Sequence, residues 1–370
     1  MIRCAILPPV PVPYREPLFA RLAERGRIEP LVIYQAGGQP GWDQRPEWFP
    51  AEHTYSARQL RSWQRVRPGR SPVVLPRGLG EALRAARPDC VVSWEYGPAT
   101  LRSLAWCRLH RRPLVIFSEL TEHAAGELSP RRRRLHRLLA SQAAGFVVAS
   151  SAARRRLEAM GIDPARVEVS LQSADVDRFS EAAASAGAQN GPIKLLSVGR
   201  LVPDKNLATL IEAFADSGLE PGEAELELSG TGPLEQELKR LADRSGAAVR
   251  IGGYAPPEQL PGLYARAGAL LLVSSYEPFG VTMREGAAAG LPLVCSRLAG
   301  AAGDVAVEGE NALLVDPNDR AQIADALRRL VRDDELRARL AAGSRAVTER
   351  HPPEADAEAF ERAVLRAAGR

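Results

Sequence analysis

The chain has little of what would commit it to a membrane, a disulfide scaffold or a metal centre. No apolar run approaches the roughly 20 residues that a transmembrane helix needs. Its four cysteines, Cys4, Cys90, Cys107 and Cys295, are scattered without CxxC spacing. That excludes a zinc ribbon and a disulfide framework, and a reducing cytoplasm is the expected compartment. No His/Cys ligand set is present, so no metal is expected. Aromatic residues make up only 5% and do not interleave with the arginine runs, which argues against a nucleic-acid partner. The apolar start, Ile2–Leu7, has no small-residue cleavage site after it and reads as a first β-strand, not a signal peptide.

What is present is an ordinary globular composition, 45% hydrophobic and 25% charged, over 370 residues, with a mean hydropathy of -0.19. That length predicts two domains. The net charge of +4 hides an asymmetry: residues 1–190 hold 28 Lys/Arg against 18 Asp/Glu (+10), and residues 191–370 hold 21 against 27 (−6). A basic first half suits an anionic partner, although nearly all of these cations are arginines and plain arginine abundance explains them equally well.

Short apolar runs alternate with helical patterns throughout, which predicts parallel sheets covered on both faces. In the first half the expected strands are Ile2–Leu7, Leu31–Tyr34, Cys90–Ser93, Leu114–Phe117 and Phe146–Ala149. Ser129-Pro130 is a helix start and Gly161 a helix stop. Residues 37–72, with Trp42, Trp48, Phe49 and Trp63, break this rhythm and read as an excursion beside a cleft. Glu181–Gly191 is small and polar and reads as a linker. The expected architecture is α/β, two doubly wound, Rossmann-like domains facing across a cleft. Their expected limits are 1–185 (acceptor side), 192–350 (donor side) and a last helix, 351–370, crossing back to the first domain.

Four clusters in the second half carry the chemistry. Gly199-Arg200 with Lys205-Asn206 follows a strand-like run and offers a planar fork and a mobile point charge to phosphate oxygens. Gly230-Thr231-Gly232-Pro233 allows close backbone approach to a base or phosphate. It is not a dinucleotide fingerprint, because Glu235 stands where GxGxxG needs its third glycine. Gly252-Gly253-Tyr254 follows a shorter strand-like run. The last cluster runs Glu277-Pro278-Phe279-Gly280-Val281-Thr282 and ends at Glu285. There a helix N-terminus can dock an anion while two carboxylates accept hydroxyl hydrogen bonds. Each cluster taken singly also fits a solvated or tight turn; the order of the series points to a nucleotide-sugar site.

That series resembles the retaining GT-B glycosyltransferases of family 4, closely over Ile193–Pro317 and loosely elsewhere. The resemblance implies that Arg200 and Lys205 bind the donor diphosphate, that Glu277 contacts the donor sugar, and that Glu285 holds the ribose hydroxyls. It also places Gly199, Gly230 and Gly232 near the nucleotide, and the backbone of Pro278, Phe279, Gly280, Val281 and Thr282 near sugar and phosphate oxygens. The donor it implies is a nucleoside-diphosphate sugar, UDP- or GDP-linked, with no cofactor. Three departures stand out: Asp304 replaces a common glutamate, Ala301 a second glycine, and Gln172-Ser173 an Asn-Gly pair.

In the first half, the family's paired glycines after the first strand are replaced by Pro8-Pro9-Val10-Pro11-Val12-Pro13-Tyr14-Arg15. Glu119 and Glu95, expected at strand carboxyl ends, are candidates to orient or deprotonate an acceptor hydroxyl. Glu119 is placed with Arg200, Lys205 and Glu277 in the catalytic set; Tyr14 and His123 join Glu95 as acceptor-side candidates. The run Arg131–Arg134 with His136 and Arg137, then Arg154–Arg156, with Leu135, Leu138 and Leu139 interleaved at helical spacing, fits an anionic membrane or a solvated helix face. The expected reaction is metal-independent, retaining transfer to a glycan, lipid-linked or small-molecule hydroxyl, by a cytoplasmic protein peripheral on the membrane, monomer or homodimer. The rival readings are a natural-product glycosyltransferase, a nucleotide-sugar epimerase of the same fold and a non-catalytic nucleotide-sugar-binding protein.

Overall fold

The structure is a computed structural model that describes residues 1–38, 53–67, 70–126, 128–187 and 191–369. The chain forms two compact units, Met1–Ser173 with Pro353–Arg370, and Ala174–Pro352. The boundary expected at 185–192 therefore falls between Ser173 and Ala174. The physical reason is a helix, Val176–Ala184, that occupies the first part of the expected linker and buries Val176 and Phe179 in the second unit. Ala188, Gln189 and Asn190 of that linker lie outside the described residues, as do Trp42, Trp48 and Phe49.

In chain order, unit 1 contains β1 (Ile2–Leu7), α1 (Glu16–Glu24), β2 (Ile28–Tyr34), β3 (Ser56–Gln59), β4 (Ser62–Arg67) and β5 (Arg70–Pro76). It continues with α2 (Leu79–Ala86), β6 (Cys90–Trp94), α3 (Pro98–His110), β7 (Leu114–Ser118), α4 (Glu122–Gly126) and α5 (Pro130–Gln142). It then adds β8 (Gly145–Val148), α6 (Ser151–Ala159) and β9 (Val167–Val169). Seven strands form one sheet in the order β3-β2-β1-β6-β7-β8-β9, each pair parallel. The strand order reverses between β1 and β6, which makes their carboxyl ends the switch point of a doubly wound sheet. The region read as an excursion supplies the edge strand β3 and the antiparallel pair β4–β5. Polar side chains hid β3 and β4, since an edge strand or a hairpin has little to bury, and Pro72 and Pro76 bracket the short apolar run of β5.

Unit 2 contains α7 (Val176–Ala184), β10 (Ile193–Val198), α8 (Leu207–Asp216), β11 (Ala224–Ser229), α9 (Glu235–Ser245) and β12 (Val249–Gly253). It continues with α10 (Leu260–Ala265), β13 (Ala269–Leu272), α11 (Val281–Ala288), β14 (Leu293–Ser296), β15 (Ala312–Val315), α12 (Arg320–Arg332) and α13 (Asp334–Arg350). Its six-stranded parallel sheet runs β12-β11-β10-β13-β14-β15, so the switch lies between β10 and β13. Leu195, Leu226, Leu228, Leu271 and Val294 from the strands pack with Leu210, Phe214, Ile323 and Leu327 from α8 and α12 as its core. The central β13 and the adjoining β14 read as near-continuous apolar runs because both their faces are covered, whereas β11 alternates with Glu225 and Glu227.

The last helix, α14 (Pro353–Ala367), belongs to unit 1. It buries Ala357, Phe360 and Val364 against β8 and β9. Asp356 Oδ1 accepts the Leu171 amide at 2.8 Å. Arg25 Nε reaches the fully buried Glu361 at 3.1 Å, and Arg362 and Arg366 reach Glu168 at 3.2 and 2.7 Å.

Candidate active site

The switch point of unit 2 gathers the residues that the sequence singled out. After β10 the chain turns through Gly199 to Lys205, and Lys205 Nζ donates to Glu277 Oε2, a carboxylate delivered by the loop after β13. Ser274 Oγ, 3.3 Å away, donates to the same oxygen. The pair keeps 19% and 12% of its side-chain surface, so both groups remain reachable by a ligand. Arg200 is exposed on the loop after β10.

Backbone contacts lock these loops together. Gly199 N donates to Ser229 O at 3.0 Å, Leu201 N to Thr231 O at 2.8 Å, and Gly230 N to Gly253 O at 2.7 Å. Gly230 has φ +153, and a Cβ there would overlap the Gly199 carbonyl oxygen, so only glycine fits. A Cβ at Gly232 would meet the Leu201 carbonyl carbon at 2.7 Å. Asn206 Nδ2 donates to Pro317 O at 2.7 Å and Val273 O at 3.3 Å, and the Ser275 amide donates to Asp204 O at 3.0 Å. Thus the Lys205 turn and the Glu277 loop are fixed to each other by main chain as well as by charge.

Gly280, with φ +100, caps α11 without a side-chain hydrogen bond. Phe279 is buried, which leaves its backbone and not its ring to face a ligand. Pro278, Val281 and Thr282 are half-buried around it. Ala301 N donates to Phe279 O at 2.8 Å and Gly300 N to Glu277 O at 3.1 Å, so the segment with the Ala301 departure buttresses the Glu277 loop. Glu285 lies a turn further along α11, with 9% exposure. Tyr264 Oη donates to its Oε2 at 2.6 Å. Burial pushes the Glu285 carboxyl up to about 7, with the Tyr264 hydrogen bond pulling it down and Asp175 adding to the rise. Sequence reading missed Tyr264, which lies on α10 outside every glycine, cation or carboxylate cluster.

Unit 1 presents a different cluster at its own switch point. Arg15, after the proline-rich loop that follows β1, is 6% exposed. Its guanidinium lies 5.2 Å from the Tyr14 ring and 4.9 Å from the Trp94 ring, and Trp94 stacks on Phe117 at 3.7 Å. Glu119 Oε1 accepts from Arg15 Nη2 at 3.0 Å, Trp94 Nε1 at 3.2 Å and Gln172 Nε2 at 3.0 Å. The Gln172 departure is therefore a ligand of this carboxylate. Glu95, left-handed at φ +56, accepts the Glu119 amide at 2.6 Å and Ser118 Oγ at 3.0 Å. A non-glycine residue at positive φ is uncommon and marks a site that its surroundings hold in place. Burial, with the nearby Glu119 charge, pushes Glu95 up to about 7. His123 is exposed on α4. Arg15 was invisible in the sequence, because an arginine after prolines reads as solvated charge.

Two doubly wound parallel-sheet units, each with its polar groups at a switch point, match the GT-B architecture. Residues 18–178 match the Glycosyltransferase Family 4 model and residues 179–347 the Glycosyl transferases group 1 model. The chain belongs to the family 4 glycosyltransferases of GT-B fold. Glycogen synthase from Mycobacterium tuberculosis is 29% identical over 71% of this chain and 64% of its own length. A D-inositol 3-phosphate glycosyltransferase from Nocardioides sp. is 33% identical over 55% of this chain and 49% of its own. The match thus spans less than two thirds of these relatives. Among solved structures, Anabaena HepE in complex with UDP and glucose has a TM-score of 0.75 at 19% identity, covering 97% of this chain and 98% of that one. Sucrose-phosphate synthase from Thermosynechococcus elongatus has a TM-score of 0.73 at 18% identity, covering 98% of each.

Proposed function

We propose that the protein is a retaining glycosyltransferase that moves a sugar from a nucleoside-diphosphate donor to a hydroxyl acceptor. The Lys205–Glu277 pair at the switch point of unit 2 carries this reading. A partly exposed ion pair bridging two locked loops can open to admit a ligand that carries both charges' complements: a diphosphate for Lys205 and sugar hydroxyls for Glu277. Arg200 and the α11 amides add positive potential where the leaving group sits, so the reaction proceeds without a cofactor or metal. In the step itself the anomeric C–O bond to the β-phosphate breaks and the acceptor oxygen bonds to the same face of that carbon. The acceptor proton passes to the departing phosphate oxygen. HepE, solved with UDP and glucose, supports a uridine donor among the alternatives.

Glu119 fits a positioning role better than a general base, because three donors already converge on its Oε1. Titration calorimetry with UDP, GDP and ADP, then proton NMR of the product's anomeric signal with the matching sugar donor, tests the reading. Binding of none of the three, or inversion at the anomeric carbon, would refute it.

We further propose that unit 1 lies on an anionic membrane surface at the inner face of the cell membrane, where a lipid-linked or polysaccharide acceptor is reached. Arg131–Arg134 are exposed in the first turn of α5 without an acidic partner in that turn, the end where the helix dipole disfavours cations. His136 and Arg156 of the expected basic run are buried against each other and take no part. Leu138 is 56% exposed beside them, and Leu109 on the adjoining α3 is 79% exposed. No helix among the described residues is long and apolar enough to cross a membrane. Sedimentation with phosphatidylglycerol vesicles, lost on neutralising Arg131–Arg134 and weakened by salt, is the expected result; equal sedimentation of the variant would remove the membrane role.

A further inference from the structure

The hydrogen bond from Tyr264 to Glu285 sits in a packed, closed setting. Tyr264 has no exposed surface, and its ring meets the edge of Phe179 at 4.9 Å and 69°. Phe179 stands on α7, Tyr264 on α10 and Glu285 on α11, and α7 packs against both of the other helices. With both rings held by their neighbours, the phenol oxygen has one place to be. The titratable groups facing Glu285 are Asp175, from the turn before α7, and the neutral Tyr264 hydroxyl. Arg284, its neighbour on α11, sends Nη2 to the His351 carbonyl at 3.0 Å.

We propose that Tyr264 is a positioning residue for the donor site: it occupies Glu285 Oε2 and so turns the rest of the carboxylate toward the ribose diol of a nucleoside diphosphate. This rests on the reading of Glu285 as the ribose acceptor. Tyr264 is suited to the task because burial, with the Glu285 charge beside it, pushes its own ionisation well above the usual tyrosine range, so it stays a donor. A carboxylate accepts hydroxyl hydrogen bonds more strongly than a carboxylic acid does. Glu285 titrates near about 7, so nucleotide affinity rises as pH rises through neutrality. Removing the Tyr264 hydroxyl moves that midpoint up; removing the Asp175 charge moves it down.

The test is calorimetry on the full chain with UDP, GDP and ADP from about pH 6 to about pH 9, for wild type, Tyr264→Phe and Asp175→Asn. The tightest nucleotide is then compared with its 2′-deoxy analogue. Tyr264→Phe is expected to bind about tenfold more weakly at neutral pH, to recover toward high pH, and to lose discrimination against the deoxy analogue. Asp175→Asn, which leaves the Tyr264 ring and its packing intact, is expected to shift the affinity midpoint the other way. If wild type binds none of the nucleotides, the donor reading falls and this inference with it. If wild type binds and discriminates while Tyr264→Phe matches it in affinity, midpoint and discrimination, only the positioning role is overturned.

Discussion

The two units share one sheet plan and use its switch point in different ways. In unit 2 one cation and one carboxylate, Lys205 and Glu277, meet with surface to spare, on loops whose glycines leave room for nothing but backbone. In unit 1 the matching position holds Arg15 between two aromatic rings, tied to a carboxylate that is already shared with Trp94 and Gln172. The first arrangement can exchange its internal partner for a ligand at small cost. The second is satisfied within the unit, and opening it would strand a buried charge. Equal topology therefore does not imply equal duty: unit 2 holds an ion pair that a polyanion can open, and unit 1 is organised around its own side chains.

The sharpest way to break this contrast is to remove a charge from each unit. Lys205→Ala should lower kcat about 100- to 1,000-fold, the usual loss for one preplaced donor to a leaving group, with little change in Tm. A variant that turns over normally would dissolve the functional half of the comparison. Glu119→Ala should do the reverse: unfolding stability falls by about 2–4 kcal/mol as Arg15 loses its buried partner, and nucleotide affinity stays at the wild-type level. Chemical denaturation alongside calorimetry reads both, and unchanged stability would show that Arg15 does not need Glu119.

A smaller effect appears in pH dependence, and both units contribute to it. Glu95 and Glu285 are each raised to about 7, above the ordinary carboxylate range of about 4. The native state thus holds their protons more tightly than the unfolded chain. Their contribution is complete below the unfolded pKa and is lost as pH climbs through about 7, so stability should fall across that window. Glu95→Gln and Glu285→Gln should each flatten the slope by about 1–3 kcal/mol between the two limits. Denaturation midpoints as steep in the variants as in wild type would show that these carboxyls ionise normally.

The same contrast explains what the amino-acid sequence revealed. The donor cluster was legible because its parts are local: Gly199-Arg200 with Lys205 five residues after the arginine, and two glutamates within one loop-helix segment. The alternation of apolar runs with helical patterns likewise gave both parallel sheets. The unit 1 cluster joins Arg15, Trp94, Glu119 and Gln172 from four separate stretches, so no spacing rule relates them. The limit of the second unit was misplaced for a similar reason. Alanines in Glu181–Ala184 look like a linker until Phe179, just upstream, is seen to pack on Tyr264.

The assignment of α14 to unit 1 has a consequence for how the molecule is made. During translation unit 2 is finished while unit 1 still waits for its closing helix, so the usual order of first domain first does not apply. Until Phe360 and Val364 leave the ribosome, the strand surface that they cover on β8 and β9 has no roof. A stop codon near Pro353 would accordingly harm the opening half of the chain while sparing the segment beside it.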